Sequence, residues 1–310
     1  MLLKIISFFI IISNPWLLLI GHSSANLASQ TQIINSTSSL AQLPVADSYV
    51  QAVLTPDYLP IRNWAISDPQ INAKSAIVFD TNKDKTLWQS NINEVLAIAS
   101  LTKLMTVAIA IENIKLDRVI NVSKEACQAP GDMGGLKINE KITVKTLLYA
   151  LLMESSNDAA MALAEAIGKE EFVKMMNAKA QEIGMANTVF TDPSGVSAAN
   201  VSTVSDLVKL IKYDLQHKLI WEITSAPVIY LRSADGQYDH RFINNNQLLS
   251  RVENIIGGKT GYTSEAMGCM ILVTSKPSAQ YLISIVLGSD DRMLAIEKLV
   301  IWAKEAFFWQ

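Results

Sequence analysis

The sequence lacks the residue patterns that are typical of metal, cofactor and nucleic-acid sites. Its three histidines, His22, His217 and His240, are far apart in the sequence, which shows neither a His-x-x-x-His pair nor zinc-ligand spacing. It contains no glycine-rich phosphate loop and no internal repeat. A net charge of -3 argues against a broad phosphate-binding surface. The sequence therefore predicts no metal site, no cofactor, no His-based catalytic triad and no nucleic-acid partner.

Cysteine is also scarce, with only Cys127 and Cys269 in 310 residues. An oxidising compartment outside the cytoplasm would permit a disulfide between them. Cys269 lies in an apolar segment that is typical of a buried strand. We favour two separate packed thiols, and a disulfide remains the alternative.

The chain is rich in apolar residues, which make up 50% of it and suffice for a sizeable core. At the N-terminus, Lys4 followed by a mostly apolar segment and small residues predicts a signal peptide over residues 1–25. Residues 26–60 are rich in Ser, Thr, Gln and Asn, which predicts a flexible linker. Residues 61–310 would then form one exported domain, in the periplasm or at the outer face of the cytoplasmic membrane. An uncleaved leader is the alternative, and it would attach the domain to the membrane.

The pattern of apolar residues predicts strands at both ends of the domain and helices between them. Strands are predicted near Lys74–Phe79, Thr86–Gln89, Val228–Leu231, Met270–Thr274 and Tyr281–Leu287. Helices are predicted near Leu101–Ile114, Val144–Ile167, Phe172–Ile183, Val204–Leu215 and from Asp290 to Ala306. This order predicts an α+β fold, in which an antiparallel sheet is flanked by helices and carries a helical insertion.

The first candidate for chemistry is Ser100-Leu101-Thr102-Lys103, at the start of an apolar helical segment. On one helix face, side chains at positions i and i+3 have their Cβ atoms about 5–6 Å apart. Lys103 can then act as a base on the Ser100 hydroxyl, once burial lowers its pKa below the usual value of about 10.4. Taken alone, this motif is weak evidence for catalysis, because a helix-capping serine followed by an exposed lysine also matches it.

Two further motifs follow, Ser155-Ser156-Asn157 and Lys259-Thr260-Gly261. Taken alone, the first is compatible with a helix kink or cap, and the second with an ordinary turn. In this order, however, the three motifs are close to the S-x-x-K, S-D-N and K-T-G series of class A β-lactamases and penicillin-binding proteins. One active site explains all three, whereas the structural interpretations must each hold separately.

From about Ile61 onwards the sequence resembles the low-molecular-mass penicillin-binding proteins, the D-alanyl-D-alanine carboxypeptidase family of serine peptidases. Asp192–Gly195 and the N-x-N-x-L-L segment Asn244–Leu249 also resemble family segments. Ser156 is a departure, since many members have glycine there. The resemblance implies a β-lactamase/penicillin-binding-protein-like transpeptidase fold, with the active site in a cleft between sheet and helices.

The resemblance also implies a role for each reacting residue. Ser100 would attack the carbonyl of the penultimate D-alanine of a peptidoglycan stem peptide and form an acyl-enzyme that water hydrolyses. Lys103 would take the hydroxyl proton, and the charge of Lys259 would help to keep Lys103 neutral. Ser155 would pass a proton to the leaving amine. β-Lactams would inhibit the enzyme by acylating Ser100.

The substrate-binding residues follow from the same resemblance. Asn157 would hold the backbone amide of the substrate, and Lys259 with Thr260 would bind its terminal carboxylate. The backbone N–H groups of Ser100 and Tyr262 would stabilise the oxyanion. Gly261 would let the substrate lie against the strand edge.

Three other functions remain open. A DD-endopeptidase that cleaves peptidoglycan cross-links would use the same chemistry, and little sequence follows the predicted last helix, as in some relatives of that kind. A class A β-lactamase needs a Glu followed four positions later by Asn, but Glu182 and Asn187 are five positions apart. A non-catalytic binding module would usually have lost one of the three motifs.

The aromatic residues Trp302, Phe307, Phe308 and Trp309 lie in and just after the predicted last helix. They could contact lipid, but we expect them to pack on the sheet.

Overall fold

The structure, a computed structural model, describes residues 59–131, 135–276 and 280–309. The predicted signal peptide and all but the last two residues of the predicted linker lie outside the described residues. None of the described helices combines the length and the apolar character needed to span a bilayer.

Short strands and helices surround one larger sheet. The strands are β1 (Ile61–Arg62), β2 (Ser75–Asp80), β3 (Lys85–Ser90), β4 (Leu96–Ala97), β5 (Val119–Asn121), β6 (Lys141–Thr143), β7 (Val201–Ser202), β8 (Val228–Arg232), β9 (Asp239–Ile243), β10 (Ile255–Thr263), β11 (Met267–Lys276), β12 (Gln280–Ser289) and β13 (Phe307–Phe308). The α-helices are α1 (Thr102–Asn113), α2 (Val144–Tyr149), α3 (Asn157–Glu165), α4 (Lys169–Glu182), α5 (Val204–Asp214), α6 (Lys218–Ser225) and α7 (Arg292–Ala306). The strands β10, β11, β12, β2 and β3, in that spatial order, form a five-stranded antiparallel sheet.

The sheet is buried on both faces. Along β11, Ile271 and Val273 pack into one core with the inserted helices, whereas Met270 and Leu272 pack into a second core with α7. Successive side chains of a strand point to opposite faces, so a strand between two layers of helices must be apolar throughout. The helices α1 to α6 lie between β3 and β10 in the sequence. This arrangement confirms the predicted α+β fold with its helical insertion.

Helix α1 forms the centre of the helical layer. Nine of its twelve residues are buried, as is typical of a helix that is apolar on all sides. Lys103 is one of the nine, so its amine lies inside the protein.

The predicted helix over Val144–Ile167 is wrong as a single element. It is interrupted after α2 and a π-helical turn at Ala150–Glu154, where Ser155 adopts the left-handed conformation with φ +67°. The Ser156 amide donates a hydrogen bond to the Ala150 carbonyl at 3.1 Å, and its hydroxyl accepts one from the Ala159 amide at 3.0 Å. The first bond closes one helix and the second caps the next.

The strand predictions omit several short strands and differ from the structure in two further respects. The predicted strand at Val228–Leu231 exists, but β8 pairs with β9 in a separate hairpin. The Lys-Thr-Gly motif lies within β10 at the edge of the main sheet, so its interpretation as a turn is wrong. Three glycines of β10 weaken the sequence signal for a strand. The helix α6 and the strand β9 were also not predicted.

The two cysteines are free thiols, Cys269 buried and Cys127 half-buried, which confirms the favoured interpretation. At the chain end, Trp302 and Phe307 are buried against the sheet and α7, as expected, whereas Phe308 is exposed.

Candidate active site

Ser100 lies in the 3₁₀ turn Ala99–Leu101, which leads directly into α1. Its Oγ atom is 3.0 Å from Lys103 Nζ. Ala99 has a left-handed backbone with φ +47°, a conformation that costs energy for any residue with a side chain. The serine and lysine of the first motif are therefore in direct contact, as the i, i+3 spacing predicts.

Lys103 is completely buried and has three oxygen neighbours. Besides Ser100 Oγ, they are Asn157 Oδ1 at 2.7 Å and the Ser194 carbonyl at 2.6 Å. Burial lowers the pKa of Lys103 to about 7, although the charge of Asp192 partly raises it. The amide and carbonyl oxygens can only accept hydrogen bonds, so a neutral amine donates to both and keeps its lone pair for the Ser100 hydroxyl.

The loop that supplies the Ser194 carbonyl is held in place by Asp192. The Asp192 carboxylate accepts hydrogen bonds from the amides of Ser194 and Gly195, both at 2.7 Å, and from the side chain of Asn200 at 2.9 Å. One carboxylate thus fixes the position of the carbonyl that contacts Lys103. The same carboxylate supplies the negative charge that raises the pKa of Lys103.

The second motif lies at the interruption between α2 and α3. The left-handed turn at Ser155 directs its hydroxyl to Lys259, whose Nζ donates a hydrogen bond to Ser155 Oγ at 3.0 Å. Asn157 begins α3 and donates a hydrogen bond from Nδ2 to the Pro130 carbonyl at 2.8 Å, while its Oδ1 contacts Lys103. The side chain predicted to bind substrate therefore also orients the candidate base.

The third motif supplies a second buried lysine. Lys259 Nζ also donates to the Thr260 carbonyl at 2.9 Å, and Thr260 Oγ1 donates to Asn245 Oδ1 at 2.8 Å. Burial holds the pKa of Lys259 well below its usual value, and the charges of Lys103 and Arg292 lower it further. Burial, rather than the charge of Lys259, is the largest cause of the lowered pKa of Lys103.

Gly261 allows β10 to approach the turn that carries Ser100. A Cβ atom at Gly261 would lie 3.0 Å from the Ser100 backbone nitrogen and 3.2 Å from Ala99 Cβ. Next along the strand, Tyr262 is exposed at the rim of the cleft, with the guanidinium of Arg292 5.9 Å from its ring centroid. A side chain at position 261 would push the strand away from the serine.

Arg292 was not predicted from the sequence. It is the first residue of α7, and its Nε is buried with no hydrogen-bond partner among the described residues. Gly268 makes room for it, because a Cβ atom there would lie 3.1 Å from Arg292 Cβ. Only the folding of β10 to β12 brings the start of α7 beside the Lys-Thr-Gly strand, so no motif spacing could have indicated it.

These residues surround one cleft of about 540 Å³ between the β10 edge and the helices. The predicted residues that line it are Ser100, Ser155, Asn157, Thr260, Gly261 and Tyr262, together with Asn245 and Arg292. Lys103 and Lys259 lie beneath this lining and contact the two serines. In the described ranges no three His, Cys, Asp or Glu side chains are grouped to hold a metal ion. The cleft thus combines a hydroxyl, a buried amine and, on the side of β10, the Thr260 hydroxyl and the Arg292 guanidinium.

Comparison with known proteins gives a consistent result. A family model described as D-alanyl-D-alanine carboxypeptidase matches residues 62–291. The carboxypeptidase DacF of Bacillus subtilis is 34% identical over 244 residues, which cover 74% of this chain and 62% of that protein. A D-alanyl-D-alanine endopeptidase of Pseudomonas aeruginosa is 35% identical over 211 residues, which cover 66% of this chain and 68% of that protein. The matched region therefore spans less than two thirds of the length of DacF and slightly more than two thirds of the length of the endopeptidase.

Solved structures show the same similarity. The Streptomyces K15 DD-transpeptidase superposes with a TM-score of 0.73 at 25% identity, over 77% of this chain and all of that one. A D-alanyl-D-alanine carboxypeptidase of Mycobacterium tuberculosis superposes with a TM-score of 0.72 at 26% identity, over 79% of this chain and 96% of that one. These matches confirm the predicted transpeptidase fold.

Proposed function

The chain belongs to the D-alanyl-D-alanine carboxypeptidase family, and from this we propose that it removes the terminal D-alanine of peptidoglycan stem peptides through an acyl-enzyme at Ser100. The observation that carries the proposal is the 3.0 Å contact between Ser100 Oγ and the buried amine of Lys103. Near neutral pH a large fraction of Lys103 is neutral, since its pKa is about 7. A buried neutral amine beside a hydroxyl in an open cleft is what an activated serine requires.

Acylation would follow from these contacts. Lys103 accepts the proton of Ser100 as Oγ bonds to the carbonyl carbon of the penultimate D-alanine. The backbone N–H groups of Ser100 and Tyr262 then stabilise the oxyanion. When the C–N bond breaks, the proton passes to the leaving amine with the Ser155 hydroxyl as relay. Water later attacks the ester carbonyl and gives its proton to Lys103, which returns that proton to Ser100 Oγ as the ester C–O bond breaks.

The opposite wall of the cleft would bind the terminal carboxylate. The Thr260 hydroxyl, the Lys259 amine and the Arg292 guanidinium all lie on the side of β10. Because burial disfavours the charged form of Lys259, an entering carboxylate would draw a proton onto it and gain a charged partner. The guanidinium of Arg292 offers several hydrogen-bond donors, and its buried Nε–H has no partner among the described residues. The wall therefore supports a substrate with a free C-terminus.

Asn157 would serve two purposes in this scheme. Its Oδ1 holds the amine of Lys103 towards Ser100, and its position in the lining lets the side chain face the substrate amide. We therefore assign Asn157 to positioning the base as well as to binding.

The main test is Ser100→Ala. We expect loss of D-alanine release from a diacyl-D-Ala-D-Ala peptide and loss of covalent labelling by fluorescent penicillin, with an unchanged circular dichroism spectrum. Thr106→Ser, a conservative change elsewhere on α1, is the matched control and should keep both activities. Labelling of the Ser100→Ala protein by penicillin would contradict the assignment.

A second activity, cleavage of cross-links between stem peptides, is favoured by the similarity to the Pseudomonas aeruginosa endopeptidase. Purified peptidoglycan fragments distinguish the two. A carboxypeptidase releases free D-alanine from pentapeptide monomers, whereas an endopeptidase converts cross-linked dimers to monomers, and mass spectrometry resolves both products. We further propose that the chain acts outside the cytoplasm, which cell fractionation with and without residues 1–25 would test.

A further inference from the structure

Four of the six tryptophans of the chain lie in one corner of the molecule, beside the edge strand β3. They are Trp64, Trp88, Trp302 and Trp309, and we call this region the aromatic corner. The Arg62 guanidinium lies at its centre, 5.4 Å from the ring centroid of Trp64, 5.0 Å from that of Trp302 and 5.5 Å from that of Phe307. The corner also joins the two ends of the domain, because β1 pairs with β13.

Packing explains most of these aromatic residues but not Trp64. Trp302 is buried and donates a hydrogen bond to the Ser67 carbonyl at 2.9 Å. Trp309 donates one to Asp80 at 2.9 Å. Trp64, in contrast, is 84% exposed, although Arg62 lies over its ring. An indole held in place while most of its surface stays in water is available for a ligand.

Trp64 forms one wall of a groove of about 270 Å³. The groove is lined by Arg62, Trp64, Asp68, Lys85, Thr86, Leu87, Trp88 and Phe307. The lining combines three aromatic rings and one leucine with a guanidinium, a carboxylate, an ammonium group and a hydroxyl. The side chain of Asp68 is 66% exposed, so its free oxygen lies open to a ligand.

This combination fits the chemistry of a saccharide. The C–H face of a hexose ring can lie on an indole, while its hydroxyl and acetamide groups need both donors and acceptors at the edge. Asp68 supplies acceptors, Lys85 supplies donors and Thr86 supplies both. We propose that this groove binds a glycan strand built from N-acetylated hexoses. That the natural source is peptidoglycan rests on the proposed function.

The groove differs from a surface suited to a bilayer. In β1 and β13, Ile61 pairs with Phe308 and Arg62 pairs with Phe307. Successive side chains alternate between the faces of a strand, so the exposed Ile61–Phe308 pair points away from the groove that Arg62 and Phe307 line. A lipid tail in this groove would cover the polar groups of Asp68, Lys85 and Thr86 without offering them a hydrogen bond.

The groove is separate from the catalytic cleft. It borders β3, whereas the cleft borders β10, at the opposite edge of the five-stranded sheet. Four strand spacings of about 4.8 Å place the two edges about 19 Å apart. The glycan would therefore be held at a distance from Ser100, and the groove would keep the enzyme on the polymer without taking part in the reaction.

The test is a binding titration of the full chain after its cleft has been acylated by penicillin. Tetra-N-acetylchitotetraose and peptide-free glycan strands are the probes, read by tryptophan fluorescence and calorimetry. We expect saturable binding that Trp64→Ala weakens about tenfold or more, which corresponds to about 1.4 kcal/mol. Trp64→Phe should lose less, because a smaller ring can still stack. Phe308→Ala, an exposed aromatic on the other face, is the matched control and should bind like the unaltered protein.

Activity assays give a second readout. Trp64→Ala should release D-alanine from a soluble pentapeptide at the normal rate but digest intact cell-wall sacculi several-fold more slowly. The proposal is overturned if the unaltered protein shows no saturable binding, or if Trp64→Ala and Phe308→Ala bind glycan equally well. Trp64-dependent binding to phospholipid vesicles without glycan binding would also overturn it. Glycan binding by a protein without peptidase activity would instead refute the proposed function and leave the groove assignment standing.

Discussion

The candidate active-site cleft and the far end of β11 each bury a lysine, but only the lysine of β11 contacts a carboxylate among the described residues. At the end of β11, Lys276 Nζ lies 2.5 Å from Asp80 Oδ2, and the indole of Trp309 donates a second hydrogen bond to the same oxygen. In the cleft, the contacts of Lys103 with described residues are limited to a hydroxyl, an amide oxygen and a backbone carbonyl. One lysine has a full counter-charge in contact, and the other has none.

The difference appears in the pKa of each amine. Burial lowers the pKa of Lys276, but Asp80 raises it again by a hydrogen bond and by its charge. For Lys103 the loss of hydration is opposed only by the charge of Asp192, and the pKa falls to about 7. A buried amine without a contacting carboxylate is costly for folding, so its presence indicates a chemical purpose. The comparison therefore predicts that Lys276 stabilises the protein and Lys103 serves catalysis.

The largest effect on catalysis is expected from Lys103→Met. The change removes the base, so kcat/KM for D-alanine release should fall by about 10³- to 10⁴-fold, near the upper range of general base catalysis. The free energy of unfolding, measured with urea, should change little, because the saved cost of dehydrating the amine is offset by the lost hydrogen bonds to Asn157 Oδ1 and the Ser194 carbonyl. If the Lys103→Met variant kept a tenth of the activity, Lys103 would not be the general base.

Lys276→Met is the matched change at the other end of the sheet. It leaves Asp80 buried without its cation, so the free energy of unfolding should fall by about 3–5 kcal/mol. The kcat of the folded protein should not change, because Lys276 is remote from the cleft lining.

A second variant keeps this test independent of general damage to the core. Lys276→Met combined with Asp80→Asn removes both charges and should recover a large part of the lost stability. Equal destabilisation by the single and double variants would mean that packing, and not the ion pair, explains the loss.

The sequence predicts the contacts within the candidate active site better than the surrounding fold. Ser100 and Lys103 are one helical turn apart, so their contact follows from local geometry. Ser156 caps α3, but the residue types alone did not show that Ser155 would turn into the left-handed region and interrupt the helix. The glycines of β10 concealed a strand whose pairing with β11 stabilises it.

Arg292 and Asp192 show what motif spacing cannot reveal. Arg292 reaches the cleft because β12 ends beside β10's partner strand and Gly268 leaves room for its side chain. Asp192 acts through the Ser194 carbonyl, so its effect depends on a loop conformation rather than on a reactive side chain. Contacts that depend on long-range packing or on a backbone carbonyl can be identified only in the folded structure.

Arg292→Ala should have the next largest effect. Its guanidinium lines the cleft and forms no salt bridge with any described residue. Like Lys103, it therefore has no carboxylate in contact. A charged hydrogen bond contributes about 1.5–3 kcal/mol, so the preference for a free over an amidated C-terminus should fall by about 10- to 100-fold. Arg292→Lys should retain part of it. An unchanged ratio of kcat/KM for the two peptides would exclude Arg292 from carboxylate binding.

The smallest effect is expected at Asp192, the one carboxylate in the described part of the chain whose charge acts on Lys103. The base must be neutral, so kcat/KM should rise with pH through about 7 and level off above it. The negative charge of Asp192 raises the pKa of Lys103, so Asp192→Asn should lower that pKa and move the rising limb to lower pH. Burial is the larger cause, so we expect Asp192→Asn to move the pKa by less than about one unit. At pH 6, kcat/KM expressed as a fraction of its plateau should then rise by less than about tenfold. The plateau itself should fall, since an amide cannot accept every bond that holds Ser194 and Asn200. A lower plateau with an unmoved limb would mean that Asp192 only orders the loop, and that burial alone sets the pKa of the base.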